Sequence, residues 1–280
     1  MKENSSERAG GVEATGDIKA FARRALEATG VGHWLYRIHE WNRSRGGERA
    51  PAADDNGLAI PPAYLLQLVS ASVDWRFFLA SGEKTARYFA EIVDAAGGDF
   101  AASARVLDFG CGCGRVTRHL PALTKAEIFG VDYNPRLVRW CADNLPGTFS
   151  QNRLQPPLSF DDAAFDVVYL VSVFTHLKIA TQNEWLDEFA RIVKPGGFVI
   201  VTFHDEDHPG LSQVTLTREA LLSAGAVALN DKSEGANHCA TFQTRAFLAD
   251  QVGDRFEVVQ ISSSLDSPPG QATALLRRPG

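Results

Sequence analysis

The stretch VLDFGCGCGR, residues 106–115, constrains the fold more than any other part of the chain. A short apolar run passes straight into three glycines at alternate positions, Gly110, Gly112 and Gly114. A strand that ends in glycines and continues into a helix sets backbone N–H groups at the rim of a sheet, where doubly wound α/β proteins bind their ligands. The chain from residue 104 onward keeps to that plan. ARVLDF, AEIFGVD, GTFSQN, FDVVYLV, FVIVTFH, RFEVVQIS and ATALLRR are short runs rich in β-branched and aromatic residues and read as strands. Helices fall between them. Asn134 followed by Pro135 is a cap and first-turn pair, and Thr181 with Glu184 reads as a capping box ahead of Trp185, Phe189 and Ile192 on one face. Strands alternating with helices imply an α/β fold with a mostly parallel sheet covered on both sides. A short link containing SPPG separates the last two strands, a hairpin spacing that makes the final strand antiparallel.

The N-terminal third has a different character. Residues 1–16 are polar and aperiodic and are expected to form a disordered tail. Residues 17–100 are expected to form a helical extension or cap, with an aromatic segment VGHWLYRIHEW, a linker RSRGGERAPAADDNG, and helices over IPPAYLLQLVSAS and SGEKTARYFAEIVDAAGG. Residues 101–280 then form the α/β domain, with an insertion at 204–255. A net charge of -6 gives no basic surface for nucleic acid, so a nucleic-acid partner is not expected. No apolar run approaches the roughly 20 residues that cross a bilayer, and the polar start MKENSSERAGG has no signal-peptide core. A cytoplasmic location without membrane association is expected. Cys111, Cys113, Cys141 and Cys239 form no C-x-x-C pair. They read as free thiols, with no metal or redox role.

The glycine turn itself discriminates among ligands. A dinucleotide turn needs G-x-G-x-x-G. Counting from Gly110 the sixth position is Arg115, and from Gly112 it is Thr117, so neither frame fits. A Walker lysine is also missing. What remains is D-x-G-x-G-x-G, with Asp108 ahead of the glycines. An acid there repels a pyrophosphate and suits a ligand with an ammonium group. Asp132 ends the next strand, where acids of this architecture accept both hydroxyls of a ribose.

With these residues in place, the segment resembles the first motif of the class I S-adenosylmethionine-dependent methyltransferases, and residues 104–278 follow their strand order. FDVVYLVSVFTHL resembles their fourth-strand motif, and IVKPGGFVIVTFH the helix, turn and fifth strand beyond it. IPPAYLLQLVSASVDWRFFLASGE, QNRLQPPLSFDDAAFD and SVFTHL resemble the bacterial small-molecule branch of the methyltransferase-domain type. The resemblance implies a Rossmann-like seven-stranded sheet and S-adenosyl-L-methionine as cofactor. It also implies a small-molecule acceptor, a secondary metabolite or glycan precursor, methylated on O, N or C. By the same resemblance Gly110, Gly112 and Gly114 wrap the methionine part, Asp108 lies near its amino group, and Arg115 is a candidate ligand contact. Asp132 holds the ribose, Tyr133 lies along the adenine, and Asn152 and Arg153 meet its edge. Val171 and Ser172 lie under the sulfonium. Asn152 departs from the commoner Asp, although its amide oxygen still accepts a hydrogen bond.

Methyl transfer from a sulfonium needs alignment first, and a base only where the acceptor must lose a proton. His204, after the fifth strand, and His176, after the fourth, are the catalytic candidates. Packing is the competing role for His176 and an ordinary loop position for His204, with His238 a weaker candidate than either. The aromatic segments 33–41 and 73–79 are candidates for a lid, against plain packing on the outer helices. A cofactor-binding enzyme of another reaction type, a catalytically silent subunit and, least well supported, an NAD-dependent oxidoreductase are the rival readings.

Overall fold

The computed structural model describes residues 50–236 and 239–280. The chain divides into two compact units. In the first, the described segment is Pro62–Asp74. It holds helix α1 (Ala63–Ser70), entered through Pro62 and closed at Ala71, which adopts the left-handed conformation with φ 51°. The second unit comprises Ala50–Pro61 and Trp75–Gly280. Helix α2 (Trp75–Ala95), read from the sequence as part of the extension, packs within this second unit. It starts earlier than SGEKTARYF indicated, because Trp75, Phe78 and Leu79 extend its apolar face.

The sheet is built from β1 (Arg105–Phe109), β2 (Glu127–Asp132), β3 (Thr148–Gln151), β4 (Phe165–Leu170), β5 (Val193–Phe203), β8 (Glu257–Ser262) and β9 (Ala272–Arg277). These seven strands lie in the order β3-β2-β1-β4-β5-β9-β8. The pairs from β3 through β5 are parallel, and β9 runs antiparallel to both of its neighbours. The seven apolar runs of the sequence supply these strands. A separate hairpin of β6 (Ala226–Leu229) and β7 (Ala240–Gln243) lies in the 204–255 insertion.

Alternation along the central strands explains why both faces are covered. Val106, Val167, Tyr169, Ile200 and Leu275 pack on one side with Ala86, Phe89 and Val93 of α2. Leu107, Val168, Leu170, Val199, Val201 and Leu276 pack on the other with Trp185, Phe189 and Ile192 of the helix Ile179–Ile192. A period of two with apolar residues at every position gives a sheet that is buried on both faces. Helix α3 (Pro135–Asn144) begins as its cap pair foretold, with the Asn134 side chain accepting from the Arg136 N–H.

Two local readings need correction. The helix Ile179–Ile192, here α4, begins before Thr181 with Lys178 at its cap position and no side-chain cap bond, so the supposed capping box lies inside the first turn. Trp185 and Phe189 pack α4 on Phe109 at ring distances of 4.4 and 5.0 Å. The segment behind the glycine loop is a 3₁₀ turn, Thr117–Ala122, where the strand-glycine-helix pattern predicts an α-helix. Pro121 lies within it and supplies no backbone N–H donor. The insertion also contains α5 (Arg218–Ala224) and α6 (Arg245–Val252). Arg245 anchors it to the exit of β5 through Asp205, Glu206 and Asp207 at 3.3, 3.1 and 2.9 Å, which accounts for the acidic run in TFHDEDH.

Candidate functional site

Gly110, Gly112 and Gly114 have φ of 78°, 56° and 75°, a left-handed backbone that glycine adopts without steric cost. That conformation turns successive N–H groups to one side. Gly110 and Cys111 donate to the Val131 carbonyl at 2.7 and 2.9 Å, which binds the loop to β2. Gly112 N–H donates to Asp132 Oδ2 at 2.9 Å, while Asp132 Oδ1 accepts from Asn134 N–H at 2.8 Å. The Asp132 carboxylate is thus oriented from two directions, and burial pushes its pKa up. Each of its oxygens keeps a lone pair for a further donor. A side chain at Gly110 would collide with Val173 Cγ2, at 2.3 Å from an added Cβ, so the loop lies directly against the residue after Ser172.

Asp108 is buried beneath the loop, and its Oδ2 accepts from Thr117 Oγ1 and, at 2.9 Å, from the Tyr169 hydroxyl. Burial pushes its pKa up to about 6. Its carboxylate ties β1 to β4 and to the 3₁₀ turn, so it shapes the glycine loop from below. Arg115 is buried enough to hold its pKa down, and Asp108 opposes that shift electrostatically. Its Nη1 reaches Ser81 Oγ at 3.4 Å, and among the described residues no carboxylate forms an ion pair with it. A partly buried guanidinium with that free capacity suits a carboxylate ligand.

Asn152 N–H donates to the Asp132 carbonyl at 3.2 Å and its Nδ2 to the Arg153 carbonyl at 2.7 Å. Its Oδ1 is buried without a partner, an acceptor waiting for a donor. Tyr133 is 48% exposed beside Asp132, and Arg153 is exposed. The four cysteines are free and buried. Cys141 Sγ donates to the Gly112 carbonyl at 3.3 Å, which gives the helix α3 a grip on the loop.

The far wall of the cleft comes from the ends of β4 and β5. Val171 packs against the core, and Ser172 has φ 61°, uncommon for a residue with a side chain. Three bonds hold it there: Ser172 N–H donates to Thr202 Oγ1 at 2.7 Å, Thr175 Oγ1 donates to the Ser172 carbonyl at 2.8 Å, and Gln271 Nε2 donates to Ser172 Oγ at 2.8 Å. His204 stacks on His208 at 4.0 Å, and burial pushes its pKa down to about 3. His176 Nδ1 bonds the Cys239 carbonyl at 2.7 Å, and burial lowers its pKa also. His238 and the aromatic segment at 33–41 lie outside the described residues. The start of α2 approaches the loop, since a Cβ on Gly82 would sit 1.9 Å from the Arg115 carbonyl oxygen. Thr202 and Gln271 were missed in the sequence, because neither belongs to a motif and Gln271 lies 99 residues from Ser172.

These features fit S-adenosylmethionine. A left-handed glycine loop, a carboxylate with free lone pairs at Asp132, a buried acceptor at Asn152 Oδ1 and an Arg115 guanidinium that makes no ion pair among the described residues are groups of the kind such a cofactor requires.

Residues 107–201 match the family described as methyltransferase domain. The chain is similar to 2-methyl-6-phytyl-1,4-hydroquinone methyltransferase of Synechocystis, with 32% identity over 100 residues, 34% of this chain and 30% of that protein. It is likewise similar to ubiquinone biosynthesis O-methyltransferase of Maricaulis maris, with 32% identity over 101 residues, 34% of this chain and 39% of that one. The chain therefore spans well under half the length of these relatives. Among solved structures, an S-adenosylmethionine-dependent methyltransferase of Mesorhizobium loti aligns with a TM-score of 0.54 at 12% identity, over 70% of this chain and all of that one. Magnesium protoporphyrin IX methyltransferase of Synechocystis aligns with a TM-score of 0.51 at 16% identity, over 94% of this chain and 100% of that one. Residues 107–201 are thus similar to the methyltransferase domain, and the sheet order β3-β2-β1-β4-β5-β9-β8 belongs to the fold these solved structures share.

Proposed function

We propose that the protein transfers the methyl group of S-adenosylmethionine to a small molecule bound at the C-terminal ends of β4 and β5. The observation that carries this reading is the pairing of the glycine loop with Asp132: the same carboxylate that accepts Gly112 N–H stands at the end of β2 with lone pairs to spare. Bound there, S-adenosylmethionine supplies an electrophilic methyl group that needs no covalent enzyme intermediate.

The chain's own residues would then bind and align. Gly110, Gly112 and Gly114 would admit the methionine chain, Arg115 its carboxylate and Asp132 the ribose. Tyr133, Asn152 and Arg153 would border the adenine, and Val171 with Ser172 the sulfonium. Asp108 would act from beneath the loop, through Thr117 and Tyr169. Alignment of two bound reactants contributes up to about 7–11 kcal/mol to lowering a barrier. The relatives that carry quinol and O-methyltransferase names support a hydroxylated small molecule as acceptor. His204 lies beside Gln271, the partner of Ser172, whereas His176 Nδ1 is occupied by the Cys239 carbonyl, which favours a packing role.

Calorimetry with S-adenosylmethionine, S-adenosylhomocysteine and NAD tests the pocket. Binding of the first two and not of NAD is expected, and NAD binding alone overturns the reading. Release of S-adenosylhomocysteine across a panel of quinols, phenols and amines separates a methyltransferase from a silent subunit.

A further inference from the structure

A directed ring of hydrogen bonds under the cleft determines which ring nitrogen of His204 carries its proton. Thr175 Oγ1 has one hydrogen, and it goes to the Ser172 carbonyl at 2.8 Å. Between the two hydroxyls, 3.2 Å apart, Ser172 Oγ must therefore donate and Thr175 Oγ1 accept. Ser172 Oγ has then spent its own hydrogen and can only accept from Gln271, at 2.8 Å. That orients the Gln271 amide with its nitrogen toward Ser172 and its oxygen toward the Thr202 hydroxyl, which donates to it at 2.8 Å. Thr202 Oγ1 in turn accepts Ser172 N–H at 2.7 Å, closing the ring.

The second hydrogen of Gln271 Nε2 faces His204 Nε2 at 3.5 Å. A donor on both sides of that gap would be repulsive, so His204 Nε2 is unprotonated and the ring proton sits on Nδ1. Among the described residues that nitrogen is buried with no partner, so no acceptor there competes with the Gln271 contact in setting the tautomer. Stacking on His208 at 4.0 Å and a tilted contact with Phe242 at 5.1 Å hold the ring in place. At 3.5 Å the contact with Gln271 is weak enough to be exchanged for a stronger donor.

We propose that Gln271 is a positioning residue that holds His204 as the Nδ1–H tautomer, so that His204 Nε2 presents a lone pair beside Ser172 and selects a methyl acceptor carrying an O–H or N–H. This rests on the methyltransferase reading. As the acceptor oxygen or nitrogen bonds to the methyl carbon, the electron pair of the breaking C–S bond stays on sulfur. The acceptor's proton passes to His204 Nε2, and the resulting imidazolium returns it to water. A weak base suffices, because the freshly methylated, still protonated acceptor oxygen is a strong acid.

The test uses full-length, ¹⁵N-labelled protein saturated with S-adenosylhomocysteine, whose binding is measured separately by calorimetry. Failure to bind overturns the methyltransferase reading, whatever the state of His204. Two-bond ¹H–¹⁵N correlation spectra at neutral pH, assigned with His204→Gln, are expected to show Nδ1 protonated and Nε2 bare in the wild type. A proton on Nε2 there overturns the proposal. Gln271→Glu, which replaces the amide donor by an acceptor of the same shape, is expected to bring a proton onto Nε2, and an unchanged tautomer counts against Gln271 as its cause. Should that variant not fold, Gln271→Met is read the same way, with loss of the single-tautomer signal expected. Phenol is the probe for a protic acceptor, with anisole as its O–H-free control. Phenol alone should shift the Nε2 resonance; an equal response to both, or to neither, overturns the selection of a protic acceptor.

Discussion

Asp108 carries a cost in stability that depends on pH. Its folded pKa of about 6 lies above the ordinary carboxylate value of 3.8, so the native chain retains a proton that the unfolded chain releases between those values. The contribution is complete at the acid end and is lost as pH rises through the folded pKa. Between about pH 4.5 and about pH 7 this removes about 2 kcal/mol. Asp108→Asn leaves an acceptor for Thr117 and Tyr169 and abolishes the titration. Urea unfolding at the two pH values should show wild type losing about 2 kcal/mol more than the variant, and equal losses would contradict the role assigned to burial. Asp132 offers a second test at this scale. Hydrogen bonds to a charged group contribute about 1.5–3 kcal/mol each, so Asp132→Ala should weaken S-adenosylhomocysteine binding by at least about tenfold in calorimetry. Unchanged affinity would refute the ribose assignment. The identities of Asp108, Asp132 and the three glycines were legible in the sequence because they lie on one strand-turn unit or at the end of its neighbour. The inward direction of the Asp108 carboxylate was not legible, since Thr117 and Tyr169 reach it from the 3₁₀ turn and another strand.

Elements behave less simply than their terminal signals suggest. Thr181 and Glu184 have the spacing of a capping box, but α4 starts at Ile179 with no side-chain cap, and its apolar face packs through Trp185 and Phe189 on Phe109. The glycine loop is more constrained. Gly110→Ala forces a Cβ into a left-handed residue, costing about 1–2 kcal/mol, and meets Val173 Cγ2 at 2.3 Å. A lower melting temperature together with weaker S-adenosylhomocysteine binding is expected, and retention of both would show that the loop relaxes freely. The strap Ala50–Pro61 depends on Arg118, whose side chain is fully buried and pairs with Asp54 at 2.9 Å, while also donating to the Leu58 and Ala59 carbonyls at 3.1 and 2.8 Å. Removing one partner of a buried pair costs about 3–5 kcal/mol. Arg118→Met should therefore lower stability to urea by about that amount, and adding Asp54→Asn should restore part of it. Nothing in the linker composition of RSRGGERAPAADDNG pointed to this pair, because its partner lies 64 residues away.

At the scale of the whole molecule, ligand binding should register as global stability. A ligand at about 100 times its dissociation constant stabilises the native state by about 2.7 kcal/mol. In a chain of this size that corresponds to a rise in melting temperature of about 5–10 °C. S-adenosylhomocysteine should produce it and NAD should not; the reverse pattern in a thermal-shift series would contradict the cofactor assignment. The short runs rich in β-branched and aromatic residues by themselves marked the seven strands of the sheet. The glycine spacing with Asp108 and Asp132 determined the class of turn, and the short SPPG link determined the antiparallel last strand. These are local properties, encoded within one strand and its flanking turns. Only the tertiary structure decided which distant residues share the cleft. Gln271 reaches Ser172 because β9 inserts beside β5, Thr202 turns toward both, and His204 stacks on His208 and meets Phe242 at a tilt within the insertion. Such contacts depend on strand order and register, which a stretch of sequence cannot express until the whole sheet has assembled.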